Sequence, residues 1–364
     1  MQAVKRFLAP VLGLAGLAVM AFAVLPAQGQ QPPATPPAQA QLPPLGPDQI
    51  ETARIDPIKP AEVKVGMYIN DIQSIDLHSY SFVADVYVWF RDNDAELVPG
   101  KSFEWMNMFA PDDHVQTDID PEPVAQKDGS QYQVFRHQGP FAAKFSVKTF
   151  PFDAHNLTIE IEDQEWDSSR LVYSVDQVTM NPDIQLPGFI IGAPTMEIRN
   201  RPYPTTFGDT DLKEGQSYSR AVVSIPISRP VVSGITKSLL PVFIVVLVAA
   251  AALLLKPEHI EARVGLSITA LLTLVALQFS AQAALPDVGY LLMLDQIYLA
   301  SYGFVLLVVG LLVMTTGNAE DEKELAAAHS IAKGGALTAF LSIALYAAVI
   351  ALILWLNIMS PGTA

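Results

Sequence analysis

The sequence predicts a β-plus-α membrane protein: an all-β domain of sandwich or barrel type, followed by a four-helix transmembrane bundle. Three observations predict it. Short runs before residue 230 alternate apolar and polar residues at period two, no 3.6-period run of useful length occurs there, and four long uncharged apolar segments follow. Charge divides at the same place: residues 48–229 carry 15 basic and 29 acidic side chains, and those from 230 onward carry 5 and 8. An acidic soluble domain concentrates cations and repels anions. A net charge of -15 argues against nucleic acid, whose binding depends on Lys and Arg neutralising phosphates. With no cysteine in 364 residues, a disulfide framework, a thiolate metal site and a thiol nucleophile are excluded.

The amino end, residues 1–29, reads as a signal peptide. Lys5 and Arg6 precede an apolar stretch from Phe7 to Leu25, and Pro26-Ala27-Gln28-Gly29 follows with small residues. An uncleaved membrane anchor is the alternative. Residues 30–50 are rich in Pro, Ala and Gln, cannot bury a core, and form an extended linker. The β domain is expected over 51–229. Phe82, Ala84, Val86, Val88 and Phe90 alternate to give one buried face, Leu157, Ile159 and Ile161 alternate with Thr158, Glu160 and Glu162, and Ala221 to Ile227 is a third β-rich run. Turn clusters at Asp92-Asn93-Asp94 and Lys127-Asp128-Gly129-Ser130 punctuate the rest.

The transmembrane domain is expected over 230–358, with spans at about 235–255, 262–285, 291–315 and 335–358. Ser238–Leu255, Val264–Pro286, Gln296–Ala319 and Gly334–Ala364 carry no charge. With the amino end exported, Lys256, Arg263, Lys323 and Lys333 fall on the cytoplasmic side, while the loop at Asp287 has no Lys or Arg. Residues 318–333 are a short polar, Ala-rich connector. The second span is diluted by Gly265, Ser267, Thr269, Thr273, Gln278, Ser280 and Gln282, which a lipid-facing helix has little use for. On it, Glu261, Gly265, Thr269, Leu272, Ala276, Phe279 and Ala283 share a stripe about 80° wide. Repeated around an axis, that stripe gives an acidic ring, a polar lower pore and an apolar constriction. An acidic ring selects cations and a Leu ring closes by dewetting. A bundle helix whose Ser and Thr bond to neighbouring helices is the alternative.

Three motifs then carry a resemblance. Phe150-Pro151-Phe152-Asp153, Ile227-Ser228-Arg229-Pro230 with Pro241 beyond it, and the gap-free run from Arg263 to Leu274 ending at Pro286 resemble the bacterial pentameric ligand-gated ion channels of the Cys-loop receptor superfamily. The similarity covers roughly residues 60–358. Ala143 and Leu157 stand where animal members carry the cysteines, as in the branch without the disulfide. The resemblance implies an extracellular immunoglobulin-like β-sandwich on a four-helix bundle, assembled as a homopentamer in the bacterial inner membrane with the β domain in the periplasm. It implies Glu261 as the selectivity ring of a cation channel, Thr269 as a hydroxyl ring, Leu272 as the gate with Ala276 and Phe279 above it, and Arg263 turned from the axis. Coupling is expected through Asp153 and Arg229, with Asp76 completing a charged cluster that meets Leu285-Pro286-Asp287.

For the agonist, the resemblance implies an aromatic site between neighbouring β domains, where cation–π attraction holds a cationic amine. Candidates are Phe90, Trp105, Trp166, Tyr203 and Phe207. The family's Trp-x-Pro is Trp105-Met106-Asn107 here, Trp166 lies two residues beyond its expected place, and the hairpin near Tyr203–Phe207 has no adjacent cysteines. Gating by protons is the rival, given the many carboxylates and His78 near the coupling loop. The six histidines show no metal-ligand spacing, so no metal and no cofactor is expected. No G-x-S-x-G, H-E-x-x-H, Walker A or dinucleotide fingerprint is present, so no catalytic residue is assigned. Partners are thus further copies of the chain, a small-molecule agonist or proton, permeant monovalent cations and the lipid bilayer. The alternative function is a non-conducting periplasmic ligand sensor anchored by four helices.

Overall fold

In the computed structural model, which describes residues 59–94, 96–208, 215–316 and 335–359, the period-two runs become strands of a β-sandwich. The expected signal peptide, linker and cytoplasmic connector lie outside the described residues. The strands are β1 (Ala61–Asp76), β2 (Ser81–Asp92), β3 (Phe103–Trp105), β4 (Val115–Asp118), β5 (Val124–Ala125) and β6 (Gln131–Ala142). They continue with β7 (Ala154–Asp163), β8 (Leu171–Met180), β9 (Ile190–Ile191), β10 (Thr195–Pro202) and β11 (Ser217–Ser228). One sheet runs β4-β6-β2-β1-β8 with β5 beside β6, and the other runs β10-β11-β7-β3 with β9 beside β11. Only the β1–β8 pairing is parallel among these.

Alternation explains why these segments pair in this register. Phe82, Ala84, Val86, Val88 and Phe90 of β2 point inward, facing Leu157, Ile159 and Ile161 of β7 and Ala221, Val223, Ile225 and Ile227 of β11 across one core. A one-residue slip would turn each of these sets to solvent. Every fully buried Leu, Ile or Phe contributes about 1.5–3 kcal/mol of burial, so the register is strongly specified. Asp85 is a buried charge on the outward face of β2. It is buried because Arg136 of β6 grips it with Nε at 3.0 Å and Nη2 at 2.7 Å, and Asn70 of β1 donates to it at 2.7 Å.

Among the described residues, four helices are long and apolar enough to cross a membrane. They are α1 (Val231–Ala251), α2 (Ile260–Gln282), α3 (Met293–Thr316) and α4 (Gly335–Met359). Helix α1 widens to i→i+5 bonding over Ile235–Leu239, ending two residues before Pro241. Proline supplies no N–H and crowds the preceding turn, and a wider turn accommodates both defects. The bundle packs Val242 and Val246 of α1, Ala270 and Leu274 of α2, and Ile297, Tyr298, Val305 and Val308 of α3 into one core. Paired side chains tie the helices where lipid offers no partner: the Tyr302 hydroxyl donates to Gln278 at 2.6 Å, Ser301 meets Tyr346 at 2.8 Å, and Asn357 donates to Gln296 at 3.0 Å.

Candidate functional site

Among the described residues, the stripe on α2 has no partner within the subunit. Glu261, Gly265, Thr269, Leu272, Ala276, Phe279 and Ala283 are all exposed, Leu272 at 64% and Phe279 at 68%. The opposite face, Arg263, Ser267, Ala270 and Leu274, is buried against α1 and α3. On a helical projection, leaving aside Ile260 at the start of the helix, the exposed arc runs from Val264 and Gln282 round to Thr273. It covers about 180°, and its midpoint lies within about 10° of the middle of the stripe. Two charged residues occur in α2, and the fold separates them: Glu261 is exposed, while Arg263 turns inward and its Nε donates to the Ala252 carbonyl at 3.2 Å. The hydroxyls of Ser267 and Thr273 bond to carbonyls one turn back, at Arg263 and Thr269.

Where the sandwich meets the helices, the loop between β6 and β7 is the keystone. Asp153 is fully buried and each carboxylate oxygen has one donor: Arg229 Nε at 2.8 Å on Oδ1 and His155 Nε2 at 2.6 Å on Oδ2. Burial alone pushes the Asp153 carboxyl up, but the bond from His155 and the Arg229 charge more than offset it and hold it below the usual carboxylate range. The Arg229 guanidinium lies over the rings of Phe150, at 5.0 Å, and Phe189, at 4.6 Å. Around this centre the two domains touch directly. Phe150 packs against both cores, Leu285, Val288 and Leu292 of the α2–α3 connection enter the sandwich core, and the Met293 N–H donates to the Lys148 carbonyl at 2.9 Å. Gly234 in the first turn of α1 permits this approach: a Cβ there would stand 2.9 Å from the Pro151 carbonyl oxygen. Pro286 is buried and Asp287 exposed beside this contact. Asp76 does not join Asp153 and Arg229. Its carboxylate instead caps its own β1–β2 turn, accepting from the backbone N–H of His78 at 2.8 Å. The second partner of Asp153 is His155, which the sequence reading missed although it lies in period with Leu157, Ile159 and Ile161 on the inward face of β7.

The aromatic candidates divide. Phe90 is corrected to a core residue: it is 1% exposed, between the rings of Phe103, Phe135 and Tyr173. Trp105 is likewise corrected, being buried against Phe103, His137 and Phe141. Trp166 is half-buried, with the Arg170 guanidinium over its ring at 5.7 Å. Tyr203 and Phe207 do come together, 5.6 Å apart at the β10–β11 hairpin, with Tyr218 5.8 Å from Tyr203. Phe207 is 70% exposed.

Beside this aromatic group lies a charge cluster that sequence reading did not single out. On the outward face of the β3–β7–β11 sheet, strand register sets Glu104 opposite Glu162 and Glu162 opposite Arg220. Arg220 donates to Glu162 at 2.7 Å, to Glu160 at 2.6 Å and to the Tyr203 hydroxyl oxygen at 2.7 Å. One guanidinium thus binds two carboxylates and a hydroxyl, and the third acid, Glu104, with no ion pair of its own among the described residues, is pushed up by burial and by the neighbouring Glu162 charge. The only signal was the outward position of Glu160 and Glu162; the register that joins them to Glu104 and Arg220 is not written locally. Among the described residues no group of three or more His, Asp and Glu is placed to hold a metal.

No family model matches the chain. Among curated proteins it is similar to gamma-aminobutyric acid receptor subunit alpha-2 of Bos taurus, 24% identical over 191 residues, which is 50% of this chain and 39% of that protein. It is also similar to gamma-aminobutyric acid receptor subunit beta-like of Drosophila melanogaster, 28% identical over 181 residues, 49% of this chain and 34% of that protein. A third, gamma-aminobutyric acid receptor subunit beta of Caenorhabditis elegans, is 25% identical over 187 residues, 49% and 31% respectively. The chain therefore matches less than half the length of each of these relatives.

Proposed function

We propose that this chain, which is similar to gamma-aminobutyric acid receptor subunits, is a pentameric ligand-gated channel of the Cys-loop superfamily and forms a homopentameric cation channel. Five α2 helices line the pore, Glu261 sets cation preference, and Leu272 with Phe279 forms the apolar closure. The observation that carries this reading is the coincidence on α2: the one face left without a partner is the face bearing the acid, the hydroxyl and the large apolar residues, while Arg263 is turned away. A solitary membrane anchor has no need of such a face. The β domain sits in the periplasm of a bacterial inner membrane, after export by the signal peptide, and passes its state to α2 through Asp153, Arg229 and the Leu285–Asp287 loop.

The agonist in this reading is a small cationic amine at Tyr203, Phe207 and Tyr218, beside the acid-rich cluster of Glu104, Glu160 and Glu162; external protons are the second trigger. The aromatic faces supply cation–π attraction and the excess carboxylate supplies the counter-charge. The amino acid in the relatives' names carries an ammonium group of this kind. The test is current across a planar bilayer containing purified protein under a sodium chloride gradient. The external side is taken from pH 8 to pH 4 and then offered primary amines, quaternary amines and γ-aminobutyric acid. A triggered current reversing near the sodium equilibrium potential supports the reading. A current reversing near the chloride potential overturns cation selectivity, and silence from protein shown to be pentameric favours the non-conducting sensor.

A further inference from the structure

A histidine pair inside the β domain belongs to neither the pore, the junction nor the aromatic patch. His114 Nδ1 lies 2.8 Å from His137 Nε2, and His114 Nε2 lies 2.9 Å from the Phe109 carbonyl oxygen. The carbonyl can only accept, so neutral His114 carries its proton on Nε2 and presents Nδ1 as an acceptor. His137 must then donate from Nε2, which leaves its Nδ1 bare, and that atom is buried with no partner among the described residues. Both rings are therefore neutral and the chain of bonds has one direction: His137 to His114 to Phe109.

The bond clasps an irregular segment onto the sheet. His137 faces inward on β6, stacked 4.4 Å from the Trp105 ring, while His114 lies in the segment Phe109–Val115, which leads into β4. The His114 ring can cross β6 because residue 139 is glycine; a Cβ there would stand 2.2 Å from His114 Nδ1. The same segment walls a groove of about 590 Å³, whose other side is the β1–β2 turn with Asp76 and Ser79. The neighbours supply no counter-charge. Gln116 stands opposite His137 from β4, Val86 from β2, Trp105 from β3 and Phe141 from β6 itself. Asp112 and Asp113, next to His114 in the chain, are exposed and bond to neither ring, and Arg136 points to the other face of the sheet, toward Asp85.

We propose that the His114–His137 pair is a proton-operated latch: external acid breaks it, frees Phe109–Val115 from β6 and reshapes the groove beside the β1–β2 turn. One proton on His114 Nδ1 sets two N–H donors face to face, and one on His137 Nδ1 places a charge where no acceptor exists. Burial, reinforced by the neighbouring His114, accordingly pulls His137 down to about 4. A histidine lowered in the closed form and ordinary in the open form holds the latch shut above pH 6.5 and loses hold as pH falls toward 4. The inference deepens the proton arm of the proposed function and rests on it only for the effect on current.

The experiment is hydrogen–deuterium exchange of the full-length protein in detergent at pH 7.5 and 4.5, corrected for the intrinsic pH dependence of exchange. In the wild type, protection of Phe109–Val115 should fall roughly 50- to 100-fold at pH 4.5 while β7 stays protected. His137→Gln, whose amide donates to neutral His114 and can turn its oxygen to accept from the protonated ring, removes the buried titrating nitrogen and should keep its protection in acid. His114→Gln, whose amide accepts from His137 and donates to the Phe109 carbonyl, serves if the first variant misfolds; it leaves His137 to titrate and should weaken the acid step without abolishing it. Unchanged protection in the wild type overturns the latch, as does an equal acid step in a folded Gln variant. Neither readout requires a conducting channel, so a silent bilayer leaves the test intact.

Discussion

Replacing Asp153 by Asn separates charge from shape at the junction. Asn keeps one acceptor, which still serves Arg229 Nε at the position now 2.8 Å away, and presents a donor toward His155, now at 2.6 Å. Neutral His155 can move its proton to Nδ1 and accept that donor, so both hydrogen bonds persist in the variant. What is lost is the counter-charge of Arg229. Removing one partner of a buried ion pair costs about 3–5 kcal/mol. The Arg229 side chain is 21% exposed and keeps its contacts with Phe150 and Phe189, which reduces the loss to about 2–3 kcal/mol. For a domain of this size, about 2–4 °C of melting temperature accompanies each kcal/mol, so Asp153→Asn should melt about 4–12 °C lower in detergent. The pH dependence has a definite sign. A carboxyl held below its ordinary range gives its stabilisation in full above about pH 4 and loses it in stronger acid, so the deficit should be equal at pH 7 and pH 5. Arg229→Met and the double variant complete a cycle whose coupling should be about 2 kcal/mol or more. A melting point within about 1 °C of wild type, or additive single effects, would refute the claim that this pair holds the junction.

Three further predictions concern the pore and the buried acids. Glu261→Ala should assemble normally yet lose most of its preference for sodium over chloride, read as a reversal potential moving toward zero; unchanged selectivity places the filter elsewhere. Leu272, 64% exposed in the subunit, leaves enough apolar surface unpartnered that its truncation weakens the closed ring by about 1 kcal/mol per copy. Leu272→Ala should therefore raise unstimulated current and lower the agonist concentration needed at least tenfold, and a variant as tightly closed as wild type contradicts the gate. Asp92 is pushed up to about 6 by burial, aided by the Asp94 charge, so the fold loses stability as pH rises from 4 through 6. Asp92→Asn should flatten that slope and gain about 1–3 kcal/mol at pH 7.5, seen by thermal melts across pH.

What the sequence made legible follows the reach of each physical signal. Alternation at period two is local, so the inward faces of β2, β7 and β11 could be read directly, as could the helices, whose length is dictated by the bilayer. The stripe on α2 was legible because a polar residue inside a span is conspicuous and the helical period assigns it a face. Relations that depend on strand register were not legible. Glu104, Glu162 and Arg220 lie on three strands, and only the pairing brings them together. His114 meets His137 through the β4–β6 alignment, which no local pattern specifies. Asp76 fails to reach Arg229 because its turn satisfies the carboxylate first, a competition between local and distant partners that an acid in a turn usually resolves locally.

Phe90 and His155 show that the deeper difficulty lies in weighing two signals at one residue. Phe90 ends the same alternating run that places Phe82, Ala84, Val86 and Val88 in the core, and its position in that run, not its aromatic character, decides where it lies. Period two was sufficient to bury it. His155 precedes Leu157, Ile159 and Ile161 at the same spacing, so period two sends it inward as well, where a polar ring must find a buried partner. Its partner is the free oxygen of Asp153 two residues earlier, held at 2.6 Å. An alternating apolar strand interrupted by one histidine near an aspartate therefore points to a buried carboxylate–imidazole contact before any coordinate is known. Here that contact lies at the junction through which the β domain touches the membrane helices.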